Sequence, residues 1–173
     1  LLARMGLLKA DAKGNVTEWK AYCRSNAMSS LIYLHDPNDK ETYDYLYSEL
    51  KKLRDEGIYG ISEVFTRDET REKEHLDGDF AFCIESDGYT SYSDSCREPL
   101  LAPLDLTDFR FGHATHGYLP EKGPRPVFCA KGPHIRAGAV VEGGSIVNEA
   151  PTYAQLLGVD LPDAQGTPLD VLE

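Results

Sequence analysis

Hydrophobic and polar positions follow regular periods between residues 29 and 93, and they predict a small mixed domain. The predicted elements are a strand at 29–34, a helix at 37–56, a strand at 58–65, a helix at 67–75, and strands at 80–84 and 89–93. The last two strands are joined by a Ser-Asp-Gly turn, as in a β-hairpin. The order β-α-β-α-β-β predicts an α/β (α+β) lobe with an open sheet of ferredoxin-like type.

The first predicted helix has the clearest pattern. Apolar side chains recur at i, i+3, i+4, i+7 and i+10, which indicates one buried face; they are Tyr43, Leu46, Tyr47, Leu50 and Leu53. Asp36 is the expected N-cap, Pro37 the first helical residue and Gly57 the stop. The two tyrosines fit a packed core face, and the alternative is a platform on which a base or a partner stacks.

The flanking segments predict further elements. Residues 1–8 read as the end of a helix, and a turn at 11–15 leads into a strand at 16–22, so that a hairpin is expected there. Residues 127–128 and 137–141 are predicted strands. The last helix is expected to begin at Pro151 and to end at Gly158, with Tyr153, Leu156 and Leu157 facing inward.

Composition places the chain among ordinary globular proteins. It has 173 residues, is 41% hydrophobic and 27% charged, and carries a formal net charge of −11. Because phosphate contacts need clustered Lys and Arg, this charge argues against a nucleic-acid polymer as partner. No apolar stretch is long enough to span a bilayer, so a cytoplasmic location is expected. The first residue is Leu1 and not Met, and we expect a fragment of a longer protein.

The four cysteines are Cys23, Cys83, Cys96 and Cys129, and none has the CxxC spacing of a zinc ribbon. Cys83 and Cys96 flank the predicted hairpin and are candidates for a pair. The alternative is reduced thiols in a cytosolic protein, where disulfides are rare.

The candidate chemistry lies in the stretch from Phe111 to Pro120, which carries His113 and His116. Imidazole is the commonest zinc ligand in proteins, and glycine lets the backbone approach a ligand closely. Two histidines do not make a site by themselves, because zinc takes three or four protein ligands. Taken alone, this stretch is better explained as two surface histidines in a turn.

Thr115-His116-Gly117-Tyr118-Leu119-Pro120, followed by Phe128-Cys129-Ala130-Lys131-Gly132-Pro133, resembles the last motif of the nucleotide pyrophosphatase/phosphodiesterase family. This family of type I phosphodiesterases belongs to the alkaline phosphatase superfamily. The likeness continues through the closing helix and spans about residues 112 to 169. It implies that His116 binds one of two catalytic zinc ions, and it gives no role to His113.

The resemblance also implies a domain plan and a reaction. Residues 1–27 would form a seam, 28–108 an α/β cap subdomain and 109–173 the C-terminal part of an alkaline-phosphatase-like core. The family hydrolyses phosphodiester or pyrophosphate bonds of small molecules such as nucleotides, through a Thr or Ser nucleophile at a two-zinc centre. Its Asp-x-x-x-His and Asp-His-Gly motifs do not occur in this sequence. We therefore expect them, with the nucleophile, in an N-terminal half before Leu1, and we expect this fragment alone to be inactive.

Several alternatives remain open at this point. The lobe fits a non-catalytic ferredoxin-like binding module, since one fold hosts many functions. Other hydrolases of the same superfamily, such as phosphatases, phosphonatases and sulfatases, fit the motif less closely. Asp105, Asp108 and Glu121 are near His116 in sequence and are equal candidates to orient its ring.

Overall fold

The computed structural model describes residues 1–103, 107 and 114–173 of the chain. His113, Asp105 and Asp108 lie outside the described residues, as does the predicted boundary between residues 108 and 109. The described chain divides into two compact units, Leu1–Pro124 (unit 1) and Arg125–Glu173 (unit 2). The predicted division into a seam, a cap subdomain and a core part stays a prediction.

Unit 1 is built from two antiparallel sheets and two helices, so the predicted α+β class is confirmed. Strands β1 (Leu8–Ala10) and β2 (Val16–Trp19) form the predicted hairpin around the turn at 11–15. The larger sheet has the order β3-β4-β6-β5, in which every neighbouring pair is antiparallel. Its strands are β3 (Ala21–Asn26), β4 (Ser29–Leu34), β5 (Ile61–Thr66) and β6 (Phe82–Ser86), and its helices are α1 (Lys40–Asp55) and α2 (Arg67–Glu74).

One face of the larger sheet packs against α1 and forms the core. In β4 the buried side chains alternate strictly, with Ile32 and Leu34 on the core face, as a half-covered strand requires. Leu46 and Leu50 of α1 are fully buried against this face, and each contributes about 1.5–3 kcal/mol of burial free energy.

The tyrosines of α1 pack against this same core. The ring centroids of Tyr43 and Tyr47 lie 4.5 Å and 5.5 Å from that of Phe82. Phe82 itself has no exposed surface, so both rings are engaged in packing on its buried side chain. The core interpretation of these tyrosines is confirmed.

The predicted strand at 89–93 is wrong, and the topology explains why. Strand β6 lies inside the sheet, with β4 on one edge and β5 on the other. Neither edge is open to a further strand. The chain leaves β6 through a turn in which the Asp87 carboxylate accepts hydrogen bonds from the amides of Tyr89 and Thr90. The fourth strand of the sheet is β3, which pairs with β4. The first residues of β3 were predicted as part of one strand at 16–22.

The predicted start of α1 is also wrong, by three residues. Asp36 accepts a hydrogen bond from the Asn38 amide, and its carbonyl accepts one from the Asp39 amide. These bonds close a turn that contains Pro37, which suits the second position of such a turn. The N-cap is Asp39, whose carboxylate accepts hydrogen bonds from the amide and the hydroxyl of Thr42. Helix α2 starts as predicted, with a complete capping box between Thr66 and Glu69.

Other observed element boundaries differ from the predicted ones because of local backbone geometry. Residues 1–8 are not a helical end: they form turns that lead directly into β1. Strand β5 begins at Ile61 and not at Ile58, because Tyr59 and Gly60 both have positive φ, at 58° and 64°. Strand β6 begins two residues later than predicted.

Unit 2 has little regular structure. It contains a 3-10 helix at Ile146–Asn148, the helix α3 (Glu149–Leu157) and an isolated bridge between Ile135 and Leu172. The strands predicted at 127–128 and 137–141 are wrong. The two segments contain one and two β-branched residues, which cannot form a ladder without a neighbouring strand, and Val127 is 86% exposed.

Helix α3 begins two residues before Pro151 and is followed by Gly158 at φ 66°, as its C-terminal signal predicted. Its inward face was predicted wrongly. The buried residues are Pro151, Thr152 and Ala154, whereas Tyr153 and Leu157 are exposed. The buried face includes Thr152, whose hydroxyl accepts a hydrogen bond from the Leu169 amide. Hydrophobic periodicity does not report such a polar contact. Within the described residues, no helix is both long enough and apolar enough to cross a membrane.

Candidate functional site

The loop that carries His116 lies against the turn between β3 and β4. The His116 carbonyl accepts a hydrogen bond of 3.1 Å from the amide of Met28. Ala27, which precedes Met28 in that turn, has φ 57°, so the turn is tight. The imidazole of His116 is exposed. The backbone of this residue is therefore attached to the sheet while its ring stays accessible to a ligand.

Gly117 shows why the motif needs a glycine after the histidine. Its φ is 82°, in the left-handed region that side chains disfavour. A Cβ atom at this position would lie 1.8 Å from the carbonyl oxygen of Asn26. Since that oxygen belongs to the backbone of β3, it cannot move aside as a flexible side chain would. The positive φ of residue 117 and its closeness to the Asn26 carbonyl both exclude any residue larger than glycine.

A buried carboxylate holds the second half of the loop. Glu85 is 2% exposed and lies on the face of β6 opposite to Ile84. It accepts a hydrogen bond of 2.6 Å from the Leu119 amide and one of 3.2 Å from the Lys122 ammonium. Lys122 also donates to the Ser62 hydroxyl at 3.0 Å. Hydrogen bonds in which one partner is ionised are the stronger class, so this pair fixes the loop effectively.

Local structure brings Lys122 into reach of Glu85. Pro120 opens a single 3-10 turn, Pro120–Lys122, and the tight rise of this turn returns the chain toward the sheet. Tyr118 packs over Gly123, where a Cβ atom would lie 1.8 Å from the ring. Tyr118 therefore packs beside a glycine turn.

Glu85 and Lys122 are the site residues that the sequence interpretation missed. A signal existed for Glu85, because it is an acid that directly follows the apolar run from Phe80 to Ile84. Such an acid is expected either at the solvent end of a strand or, if buried, with a partner. Its neighbour Cys83 reflects the same environment: burial, with a smaller contribution from the Glu85 charge, raises the pKa of this thiol to about 11.

The described residues do not form a zinc site. Across residues 1–103, 107 and 114–173, no group of three or more His, Cys, Asp or Glu side chains is arranged to hold a metal ion. His116 is a single exposed donor, and a zinc site needs at least three. The described residues therefore fit one ligand of such a site and not the whole of it.

The other candidates do not add donors to this loop. Glu121 is exposed. His134 lies in unit 2, in an exposed turn with φ 62°. All four cysteines are free thiols, so the candidate pair of Cys83 and Cys96 is not a disulfide in this structure.

No protein-family model, no curated protein and no solved structure gives a significant match to this chain.

Proposed function

We propose that this chain is the C-terminal portion of a metal-dependent phosphodiesterase or nucleotide pyrophosphatase of the alkaline phosphatase superfamily. In this proposal His116 is one ligand of a two-zinc centre. The nucleophile and the other ligands belong to the protein region before Leu1. The substrate is a phosphodiester small molecule, with nucleotides as the first class to test.

The observation that carries the proposal is the way the His116 loop is held. Its backbone is fixed by two hydrogen bonds, at His116 to the turn between β3 and β4 and at Leu119 to Glu85 of β6, and Gly117 between them lies close to the Asn26 backbone. The imidazole of His116, the one group suited to zinc among the described residues 114–120, is left exposed. A surface turn without a function does not need a buried carboxylate to fix it, whereas a metal ligand must be held within about 0.5 Å of its working position.

The topology of unit 1 supports the cap subdomain in this proposal. Strands β4 and β5 run parallel, are connected through α1, and have the antiparallel β6 between them. Such a split β-α-β unit is the central part of ferredoxin-like sheets. Here the fourth strand position is occupied by β3, which comes before β4 in the chain. The ferredoxin-like cap is therefore proposed in a variant form.

The first test is to read the coding sequence before the codon for Leu1. The proposal expects an early Asp, a Thr or Ser nucleophile, an Asp-x-x-x-His pair and an Asp-His-Gly triplet in that region. An upstream region without these residues, or a gene that starts at Leu1, overturns the proposal.

The second test measures metal and activity together in the full-length gene product. Zinc content is determined by elemental analysis, and hydrolysis is followed with bis-p-nitrophenyl phosphate. We expect His116→Ala to lower the bound zinc from two ions toward one and to abolish turnover. His134→Ala is the matched control, because His134 is exposed and lies in a turn of the other unit. Equal zinc content in the two variants contradicts the assigned role of His116.

A third test uses the 173-residue chain alone. Because its described residues present a single donor, His116, at this loop where at least three are needed, we expect no hydrolysis of bis-p-nitrophenyl phosphate above background. Zinc-dependent turnover by this chain alone contradicts the proposal that the other ligands lie elsewhere.

A further inference from the structure

We propose that unit 1 contains a binding site for an uncharged, largely apolar small molecule, in a cavity that lies between the core face of the sheet and the segment 89–103. The cavity has a volume of about 690 Å³. Small-molecule sites typically enclose about 300–1,000 Å³ and are lined mainly by apolar groups with a few polar ones. This site is separate from the His116 loop, and it does not depend on the function proposed above.

The inner wall of the cavity is apolar. It is formed by Ile32 of β4, Ile84 of β6 and Leu50 of α1, together with Leu2 from the first turn. All four are buried members of the hydrophobic core. These side chains offer no hydrogen-bonding group, so the part of a ligand that reaches them has to be hydrocarbon or aromatic.

The outer wall is the segment 89–103, which is attached to the rest of unit 1 by specific bonds. The Tyr92 amide donates to the Ala27 carbonyl at 2.7 Å, and the Tyr92 hydroxyl donates to the Gly60 carbonyl at 3.1 Å. The Ser25 hydroxyl donates to the Tyr92 carbonyl at 2.7 Å. These bonds hold the segment across the sheet as the outer wall of the cavity.

The charged side chains in the lining already have partners, and this decides the class of ligand. They are Arg4, Asp94, Arg97 and Glu98. Arg4 and Glu98 form a bidentate pair with contacts of 2.8–3.0 Å. Arg97 donates twice to the Lys13 carbonyl, and Asp94 accepts from the Ser25 amide. With these groups engaged and of balanced sign, the cavity does not select a charged ligand.

The polar groups that remain at the rim are hydroxyls. Tyr22 and Ser91 contribute hydroxyls to the lining. Hydroxyls both donate and accept hydrogen bonds, so they suit a carbonyl or hydroxyl at one end of the ligand. The expected ligand is therefore a neutral molecule with an apolar body and one or two oxygen functions.

The cavity carries two built-in reporters of occupancy. Cys23 and Cys96 line it, whereas Cys129 is exposed in unit 2. The probe is Nile red, an uncharged aromatic dye with carbonyl and amine functions. We expect one saturable site per chain, with enhanced and blue-shifted emission. At a dye concentration ten times the measured Kd, alkylation of Cys23 and Cys96 should slow roughly tenfold, because only the small fraction of chains with an empty cavity reacts. Alkylation of Cys129 should be unchanged.

Two substitutions test whether the dye occupies this cavity. Ser91→Trp and Cys96→Trp each add an indole to the lining, and we expect each to weaken dye binding at least tenfold. Val127→Trp, at an exposed position of unit 2, is the matched control and should bind as the unsubstituted chain does. Circular dichroism checks that each variant is folded. His116→Ala should also bind normally, which separates this result from the fate of the proposed phosphodiesterase function.

The proposal is overturned if Nile red shows no saturable binding, or if Ser91→Trp, Cys96→Trp and Val127→Trp all bind it alike. Equal protection of Cys129 has the same consequence, because it indicates nonspecific adsorption. An anionic dye, anilinonaphthalene sulfonate, tests the ligand class: tighter binding of this dye than of Nile red contradicts an uncharged ligand.

Discussion

The two units of this chain differ in how far their apolar side chains are buried. Unit 1 buries its own in a continuous core formed by the larger sheet, α1 and the first turns. Unit 2 leaves most of its large apolar side chains exposed; they are Val127, Val140, Val141, Ile146, Val147, Tyr153, Leu157, Val159 and Leu161. The buried residues of its helix are Pro151, Thr152 and Ala154.

This difference indicates where the folding free energy of the chain is located. A small segment with few buried residues cannot offset its conformational entropy through hydrophobic burial. Unit 2 relies instead on hydrogen bonds around Thr152, whose hydroxyl donates to the Asn148 carbonyl at 2.6 Å and accepts from the Leu169 amide at 2.8 Å. We infer that cooperative unfolding of the chain reports on unit 1, and that unit 2 opens locally at low cost.

The largest expected effect is a cavity in the core of unit 1. Leu46 is fully buried, so Leu46→Ala should lower the free energy of unfolding by about 2–5 kcal/mol. Leu157→Ala is the control in unit 2, where the side chain is 76% exposed and the expected change is within about 0.5 kcal/mol. Urea denaturation followed by circular dichroism measures both. Similar losses of unfolding free energy in the two variants would contradict the inference that most of the folding free energy is located in unit 1.

The next effect comes from two glycines that share a backbone conformation and differ in their surroundings. Gly117 and Gly143 have φ of 82° and 79°, but a Cβ atom at Gly143 would meet nothing within 4 Å. Gly143→Ala should cost about 1–2 kcal/mol through backbone strain alone. Gly117→Ala should cost about 1–3 kcal/mol more, because its Cβ meets the Asn26 carbonyl. Hydrogen exchange should show loss of protection at the Met28 amide in Gly117→Ala only; unchanged protection there contradicts the described loop.

A smaller effect is expected when the ammonium partner of Glu85 is removed. Lys122→Met leaves the carboxylate with the Leu119 amide as its other bond, and should cost about 1–2 kcal/mol. The Lys122 side chain is 36% exposed, so solvent screening keeps the cost below that of a fully buried pair. The control is Lys131→Met, at an exposed position of unit 2, which should be neutral. Equal unfolding free energies for the two variants count against the role of Glu85.

In unit 2 the expected effect is local. Thr152→Val removes a hydroxyl that makes two hydrogen bonds. It should lower the opening free energy that hydrogen exchange reports at the Leu169 amide by about 1 kcal/mol, so this amide exchanges faster. Thr167→Val, at an exposed position, is the control. Amides of β4 and β6 should not change. Loss of their protection in Thr152→Val would show that the two units do not open independently.

The smallest effect is the pH dependence of the capping box of α2. Hydrogen bonds from the amide and then the hydroxyl of Thr66 lower the pKa of Glu69 below 4.5. Its contribution to stability is therefore present above the unfolded pKa and is lost as pH falls through the lower folded pKa. Glu69→Ala should destabilise the chain by up to about 1 kcal/mol at pH 7, and the difference from the unsubstituted chain should shrink progressively as pH falls below 4.5. A difference that stays constant over this range rules out the ionised box as its source.

The sequence was most reliable where one signal acts locally. Strand β4 was predicted residue for residue, because its compact apolar run and the following His-Asp-Pro both mark it. The capping box of α2 and the stop of α1 before Gly57 depend on side chains within four residues. The apolar face of α1 follows from helical periodicity alone.

The prediction of His116 as a candidate ligand also came from sequence, through a motif and the family that it resembles. Sequence did not reveal what holds it. Glu85 is 31 positions earlier in the chain, and its distance from the Leu119 amide depends on how β6 is placed in the sheet. Whether this imidazole binds zinc stays a prediction.

The chain by itself determined its class, its main helix and the turns that separate its strands, because each depends on side chains close together in sequence. Only the tertiary structure decided that β3, and not the segment 89–93, completes the sheet, since a strand with both edges occupied accepts no further partner. It likewise decided that an acid in an apolar strand is buried beside the His116 loop, and that a cavity remains under the segment 89–103. These features depend on contacts between distant residues, which no local pattern of hydrophobic and polar positions contains.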